Sequence, residues 1–525
     1  MIAKVNSATL LGIDVLPVTI EVNTAPANMP HYTCVGLPDS SVKESQSRIA
    51  AALANSGLML PPQRTTVNLA PADVRKEGTG CDLPIALGML AANELIERSL
   101  LARYVVAGEL GLDGSLQPIR GALPIAIKAR QMAYDGLIVP QQNAQEAAVV
   151  GNLKVYGATS LQQVVSFFAG TADAMKVTEV DTRAEFSAGQ HASTLDYADV
   201  RGQQSVKRAF EVAAAGGHNI IMIGPPGAGK SMMARRLPSI LPPLTLAESL
   251  ETTQIHSVAG KLKGKRGLIV ERPFQAPHHT ASQVALVGGG VNPMPGCLSL
   301  AHNGVLFLDE LPEFPRATLE LLRQPLEDRH ITVSRAKYSI DYPCNTMFVA
   351  SMNPCPCGYY GSRIKPCLCS PGQISRYINK ISGPLLDRID IQCEIQAVPF
   401  AELSRMQPGE PSAVIRERVV RARQIQEHRF AGLTGDGGQS EAVHCNAQMS
   451  EKMLHEFAAP DAASSDMLRM AMERFKLSAR AYSRILKVAR TIADLDGSAT
   501  IQSQHIAEAI GYRSLDRGDW AERGL

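Results

Sequence analysis

The sequence predicts an α/β protein built from several domains, and three observations lead there. The chain has 525 residues, too many for one hydrophobic core, so roughly two to four domains are expected. Short apolar runs with a period of two alternate with stretches of helical period. One glycine-rich loop lies between an apolar run and a helix start. Composition is that of a globular chain, with 45% hydrophobic and 19% charged residues, 5% aromatics and the single tryptophan Trp520. A net charge of +2 does not mark a nucleic-acid binder by bulk charge, so any such site must be a local patch. No apolar run reaches membrane-spanning length. The opening residues 1–6 lack a basic segment followed by an apolar core, so no signal peptide is expected. Ten cysteines without a secretion signal point to a reducing, cytoplasmic setting and to thiols rather than disulfides.

Residues 1–168 read as a first α/β unit. Val18, Ile20 and Val22 alternate with Thr19, Glu21 and Asn23 as a strand. Residues 39–44 open a helix, with Ser41 and Glu44 at capping-box spacing. Val42, Ile49, Ala50 and Leu53 give its apolar face, and Gly57 is placed to end it. Helices are expected over 82–92 and 123–132, and a strand over 104–108. Residues 169–195 are small, polar and without period, which reads as a linker.

A second unit starts near residue 196. A helix is expected over 204–215, ending at Gly216-Gly217, and the apolar segment 219–223 reads as a buried strand. Gly224-Pro225-Pro226-Gly227-Ala228-Gly229-Lys230-Ser231 then fits G-x-x-x-x-G-K-[ST], the phosphate-binding P-loop. Its glycines let backbone N–H groups turn inward around phosphate oxygens. The helix start that follows adds partial positive charge. Lys230 offers a full charge to the β- and γ-phosphates, and Ser231 a hydroxyl to Mg²⁺. The plainer alternative is a glycine turn that happens to hold a lysine; the strand before and helix after it favour nucleotide binding.

Val305 to Leu308 is a buried apolar run ending in Asp309-Glu310, the pattern of a Walker B strand. Asp309 is placed to hold Mg²⁺, directly or through water, and Glu310 to polarise the attacking water. An ordinary strand with acidic residues at its exit is the alternative. A third strand over 346–352 ends in Asn353. Residues 383–390 precede the last strand of this unit and include Arg388. From about 397 the chain turns helical, over 413–430, 465–473 and 478–495, broken by a glycine-rich insert at 432–438.

Cys355-x-Cys357, nine residues, then Cys367-x-Cys369 forms a second constellation. Four thiolates close a tetrahedral Zn²⁺ site. The one-residue spacing demands sharp turns, which Pro354, Pro356, Gly358 and Pro366 supply. A closed four-thiolate set leaves no open position, so the metal would be structural. A redox switch, or unpaired loop thiols, are the alternatives.

The first unit resembles the C-terminal domain of Lon-type proteases, which has a ribosomal S5 domain 2-like fold. The resemblance rests on Gly36-Leu37-Pro38, Val42-Lys43-Glu44-Ser45, the segment from Lys76 to Leu83, Gly108-Glu109-Leu110 and Pro118-Ile119-Arg120-Gly121. The serine nucleophile of those proteases falls on Gly80, and the lysine base near Ile125. A Ser–Lys dyad needs both groups, so a non-proteolytic role in interaction or assembly is expected.

The second unit resembles the AAA+ ATPases. Arg272 to Thr280, Leu286 to Gly290, Ser299 to Gly304 and Asn353 to Gly358 are similar, more specifically, to the bacterial Mg-chelatase-like AAA+ ATPases of the YifB/ComM type. The similarity covers essentially the whole chain. It implies a AAA+ core over 196–396 with inserted hairpins and the cysteine loop, and a helical lid and tail over 397–525. The segment around Val200 would pack over the adenine of ATP. Asn353 would orient water as sensor 1. Arg388 would act as an arginine finger on a neighbouring subunit's nucleotide, with a surface salt bridge as the alternative. Arg480 would be sensor 2 in the lid, with Arg484 one turn on as the second candidate. Cys297 departs from the family, which more often has an acidic residue there.

The resemblance also implies a homo-oligomeric ring, usually a hexamer, with ATP and Mg²⁺ at subunit interfaces. For this type it implies a motor on single-stranded or branched DNA that drives branch migration in natural transformation. Two segments would face DNA: the loop 287–292 with Gly289, and the hairpin 330–340 with Arg335 and Lys337 beside Arg329. Glycines permit close approach to a sugar-phosphate chain and the cations pair with phosphates. The run Lys261, Lys263, Lys265 and Arg266 is either a solvated surface or a further contact. His278 and His279 should point apart and serve hydrogen bonding or a DNA-facing loop rather than a metal. Two rival readings remain: an ATPase subunit for metal insertion into a tetrapyrrole, and a protein remodeller without nucleic acid.

Overall fold

A computed structural model describes all residues except 1, 77, 172, 190–194, 263–266, 291–292, 335–338, 363–364, 397–407, 434–442, 476, 514 and 516–525. The chain divides into two compact units. The first comprises Met1–Gln190, Thr245–Val270 and Pro293–Pro295, and the second His191–Leu244, Glu271–Asn292 and Gly296–Leu525.

The first unit is built on a mixed seven-stranded sheet. Its order is His31–Val35, Gln63–Ala70, Asp14–Pro26, Ile2–Leu11, Tyr104–Val106, Gly136–Pro140 and Lys154–Ala158. The long strand Asp14–Pro26 pairs antiparallel with both neighbours. The remaining pairs are parallel. Val18, Ile20 and Val22 are buried and Thr19 and Glu21 are not, as the period-two pattern requires.

The helix Ser40–Asn55 buries Val42, Ser45, Ile49, Ala52 and Leu53. Ala52 therefore takes the place expected for Ala50, which is exposed. Its N-cap is Asp39, whose carboxylate accepts from Val42 N at 2.8 Å. The expected Ser41–Glu44 box does not cap it. Asp39 also accepts from Gly78 N at 3.1 Å, a tertiary bond that Ser41, already inside the first turn, does not make. The apolar helix Asp82–Ala92 is buried at every position but Met89. Gly80 lies in the turn Thr79–Cys81, and Ile125 is buried on the helix Ala122–Gln131.

Two features of this unit differ from a simple N-terminal domain and linker. Thr182–Gly189 is helical, started by the Asp181 carboxylate accepting from Ala184 N at 2.9 Å. The helix Leu246–Val258, which follows the P-loop helix in sequence, also belongs to the first unit. Gly121 N donates to Ser257 O at 3.2 Å, and Ser257 bonds to Glu146. Leu268 and Val270 pack into one apolar cluster with Leu123 and Val149.

The second unit carries a parallel five-stranded sheet. Its order is Phe274–Gln275, Val305–Leu308, Met347–Met352, Ile220–Ile223, Ile391–Glu394. Ile220–Ile223 is buried throughout, as a central strand of a parallel sheet should be. Register places Ile223 beside Met352, and Leu308 beside Ala350. The chain after Ile223, Leu308 and Met352 therefore leaves the sheet at one edge, the usual ligand edge of an open α/β sheet. Helices Ser412–Phe430, Glu451–Phe457, Ala462–Phe475, Ala479–Leu495 and Ser503–Gly511 complete the unit. The expected insert at 432–438 lies largely outside the described residues. No helix among the described residues is long and apolar enough to cross a membrane.

Candidate nucleotide site and four-cysteine loop

The P-loop leaves the sheet at Gly224 and re-enters helix at Lys230–Arg236. Gly227 and Gly229 adopt φ of +76° and +90°, conformations that side chains rarely tolerate. A Cβ at either would meet nothing within 4 Å, so open space lies along the loop where a phosphate chain would need it. Pro226 and Gly227 are exposed, whereas Pro225 and Ala228 are buried. Lys230 Nζ donates to Gly224 O at 2.6 Å, Pro225 O at 3.0 Å and Asn353 Oδ1 at 3.1 Å. Burial lowers its pKa, and the carboxylates of Asp309 and Glu310 oppose that. The direct hydrogen-bond acceptors of the ammonium are thus neutral, and its nearby anions are the Asp309 and Glu310 carboxylates.

Asp309 faces this loop. Its Oδ2 accepts from Ser231 Oγ at 2.6 Å, and its Oδ1 accepts from the Ser351 hydroxyl and from Glu310 N, the latter at 3.1 Å. One hydroxyl and one carboxylate in contact are a fitting donor pair for Mg²⁺, which takes oxygen ligands. Glu310 has φ +53° and ψ +50°, a left-handed conformation rare outside glycine. Its carboxylate is more than half exposed, and His279 Nδ1 lies 3.9 Å from Oε2. His278 and His279 do not point apart. Their rings lie 4.0 Å apart at 35°, because the pair sits in a loop where period-two alternation does not apply.

Val200 is buried beside the turn Tyr197–Asp199. Its carbonyl accepts from Lys207 Nζ at 2.6 Å. The buried Tyr197 hydroxyl donates to Met233 O at 3.1 Å, which ties this segment to the helix after the P-loop.

The arginines are distributed differently. Arg388 forms an ion pair with Glu327 and donates from Nη1 to Pro384 O at 2.8 Å. Within one chain it therefore has the salt bridge that was its alternative reading. Arg480 is 64% exposed and only 3.6 Å from Asp387 Oδ2 through Nη1. Arg484 is committed inward, with Nη1 2.5 Å from Asp390 Oδ1.

The four cysteines converge. Their Sγ atoms all lie within 4.8 Å of one another. The Sγ separations are 3.3 Å for Cys355–Cys357, 3.6 Å for Cys355–Cys367 and 3.5 Å for Cys357–Cys367. All ten cysteines carry free thiols. Burial pushes the Cys357 thiol up, but the backbone amides of Leu368 and Tyr359 outweigh it and hold it at about 6.

Of the segments proposed to meet DNA, the hairpin exists, with His330–Ser334 antiparallel to Ser339–Pro343. Arg335 and Lys337 lie outside the described residues, as do Lys263, Lys265 and Arg266. Gly289 is described, with φ +127°, and is buried.

Three neighbours of the site escaped the sequence reading. Ser351 is two residues before Asn353, so strand alternation puts both on one face, a signal that was available. Glu327 and Tyr377 had none. Tyr377, on the helix Pro371–Ile378, is buried with its hydroxyl near the Asn353 backbone.

Comparison with known proteins agrees with this geometry. Residues 20–143 match the family described as subunit ChlI of Mg-chelatase, and residues 196–403 match magnesium chelatase, subunit ChlI. Residues 409–513 match its C-terminal family. The chain is 44% identical over 521 residues to the competence protein ComM of Haemophilus influenzae, covering 98% of each. It is 41% identical over 518 residues to the protein YifB of Salmonella typhimurium, again covering 98% of each. A shorter similarity, 29% over 157 residues and 27% of each chain, links it to Lon protease 2 of Bacillus subtilis. A mixed-sheet unit, a parallel sheet with a P-loop, and full-length relatives at this identity lead to one conclusion: the chain belongs to the Mg-chelatase ChlI-like family, together with ComM and YifB.

Proposed function

We propose that this chain is a AAA+ ATPase that assembles into a homo-hexameric ring and drives movement along branched or single-stranded DNA. The observation that carries the nucleotide half is the convergence of Lys230, Ser231, Asp309 and Asn353, joined by hydrogen bonds of 2.6 and 3.1 Å. Lys230 and the loop amides would bind the phosphates. Ser231 and Asp309 would hold Mg²⁺, which would supply positive charge against the phosphates. Glu310 would polarise the attacking water and Asn353 would orient it. Arg480, exposed on the lid helix, would reach the γ-phosphate. Arg388 would leave Glu327 to reach a neighbour's nucleotide, where a guanidinium stabilises transferring charge. Val200 would lie against the adenine. The four cysteines would hold a structural Zn²⁺. The first unit, Lon-like but with Gly80 and Ile125 at the dyad positions, would serve assembly rather than proteolysis.

The DNA half is supported by the relative named as a competence protein, and by the antiparallel pair His330–Ser334 and Ser339–Pro343, between which the sequence holds Arg335 and Lys337. Full-length protein should show ATPase activity stimulated by forked or four-way DNA, and ATP-dependent branch migration that Lys230→Ala abolishes. Turnover indifferent to every DNA structure would reject the motor. A second reading, metal insertion into a tetrapyrrole, is favoured by the chelatase family match; ATP-dependent Mg²⁺ incorporation into a porphyrin in the presence of partner subunits would support it.

A further inference from the structure

We infer that Cys355, Cys357, Cys367 and Cys369 form a Zn²⁺ site that braces one wall of the nucleotide pocket, so that losing the metal weakens ATP binding. The coupling rests on the reading of the P-loop as an ATP site; the metal site does not.

The ligand set argues first. A regular tetrahedron with Zn–S bonds of about 2.3 Å places sulfurs about 3.8 Å apart. The separations of 3.3 to 3.6 Å among Cys355, Cys357 and Cys367 need only a small expansion, and Cys369 Sγ lies within 4.8 Å of all three. They are far from the roughly 2.05 Å of a disulfide. Four soft thiolates select Zn²⁺ over Mg²⁺ or Ca²⁺. Cys355 is fully buried, and Cys369 N donates to Cys367 Sγ at 3.4 Å, a backbone bond of the kind that orients ligands.

The position of the loop argues second. It begins two residues after Asn353, whose side chain accepts from Lys230 Nζ. Within it, Gly358 has φ +84°, and a Cβ there would come within 2.7 Å of Pro226 Cδ. The loop therefore lies directly against the P-loop. Past its last cysteine, Tyr377 returns to the Asn353 backbone. The chain leaves Asn353, touches the P-loop and comes back to Asn353. Four ligands on one ion close this circuit and remove its freedom. Without them, Gly358 on Pro226 and Asn353 on Lys230 would depend on weaker contacts, such as the Lys365 ammonium over the Tyr359 ring and the Asn353–Lys230 hydrogen bond.

The test uses full-length protein purified without chelator. Elemental analysis should give about one zinc per chain. Zinc removal by a chelator, or Cys367→Ser with Cys369→Ser, should raise the dissociation constant for a fluorescent ATP analogue about tenfold, with circular dichroism unchanged. Re-adding Zn²⁺ to the chelated protein should restore it. Gly358→Ala should keep its zinc and still bind nucleotide more weakly, which separates the P-loop contact from folding of the loop. Lys230→Ala should lose nucleotide and keep zinc. Absence of zinc, or a disulfide within the loop, overturns the metal site. Zinc removal without any change in nucleotide affinity overturns the bracing. If Lys230→Ala binds nucleotide normally, the ATP-site reading fails instead, and the metal result stands apart from it.

Discussion

Replacing Asp390 with alanine removes the acceptor that Arg484 was folded around. Asp390 is 1% exposed. It takes Arg484 Nη1 at 2.5 Å and Asn219 N at 3.1 Å, and His218 Nδ1 lies 3.4 Å away. Three segments meet on one carboxylate: the helix Ala479–Leu495, the end of the helix Gln204–Gly216 and the approach to the P-loop strand. Breaking one partner of a buried pair costs about 3–5 kcal/mol, because the remaining charge is left dry and alone. At about 2–4 °C per kcal/mol for a unit of a few hundred residues, Asp390→Ala should lower the melting midpoint by about 6–20 °C. The assay is calorimetry or dye-based melting of the full chain. Arg484→Met in the Asp390→Ala background removes the stranded charge and should return at least half of the loss. The pH sign follows from the same contacts. Burial pushes the Asp390 carboxyl up, but Arg484 and His218 outweigh it and hold the group well below the usual carboxylate range. Its stabilisation is therefore complete above the unfolded value of about 4 and is lost as pH falls toward the folded value. The variant should lack that acid-side decline. A shift under about 2 °C, or a double variant no more stable than the single, would refute the reasoning.

Ser351→Ala deletes a hydroxyl bonded to the Asp309 carboxylate; such a bond is worth about 1.5–3 kcal/mol. The Mg²⁺ needed for half-maximal ATPase should rise about 10- to 100-fold, read by Mg²⁺ titration of turnover. Arg480→Ala should cut turnover more than tenfold with the melting midpoint unchanged, whereas Arg484→Ala should lower the midpoint by several degrees; the reverse pattern would exchange their roles. Burial, helped by the nearby Arg484, pulls the Lys487 ammonium from an ordinary 10.5 down to about 8. Below pH 8 that fall corresponds to about 3 kcal/mol of lost stability. As pH rises from 8 to 10.5 the folded state sheds its proton first and stability recovers. Lys487→Met should therefore melt higher than the parent at pH 7, and the gap should narrow by pH 10.

The parts of the fold that were legible are those with a local code. The strand Ile220–Ile223, the P-loop and the Asp309-Glu310 exit each join an apolar period to a fixed motif. The five-strand order then brings their ends together, which no single segment encodes. The helix cap shows the limit of spacing. Ser41 and Glu44 satisfy a capping box on paper, yet Asp39 wins because it also reaches Gly78. Arg480 and Arg484 lie one turn apart on the same helix, and the buried Asp390 decides which one is held inward, leaving Arg480 exposed beside Asp387. The cysteine cluster was legible because its turns are written in prolines and a glycine. The orientation of the histidine pair was misjudged by applying strand geometry to a loop, while the expected hydrogen bonding is present, His278 Nδ1 lying 2.9 Å from Thr280 Oγ1. The contact between Gly358 and Pro226 joins residues more than a hundred positions apart, beyond any local pattern.

The helix Leu246–Val258 and the residues after it give the first unit a consequence for anyone who cuts the chain. That unit is not a removable module. A fragment ending near residue 190 would lack Leu268 and Val270, the partners of Leu123 and Val149, and Ser257, the partner of Glu146 and Gly121. It would expose apolar surface and leave the Glu146 carboxylate with Leu123 N and Asn143 Nδ2 but without the Ser257 hydroxyl. The converse fragment, beginning after the linker, would carry this helix with nothing to cover it. The chain thus visits one unit between two strands of the other, the P-loop strand and Phe274–Gln275.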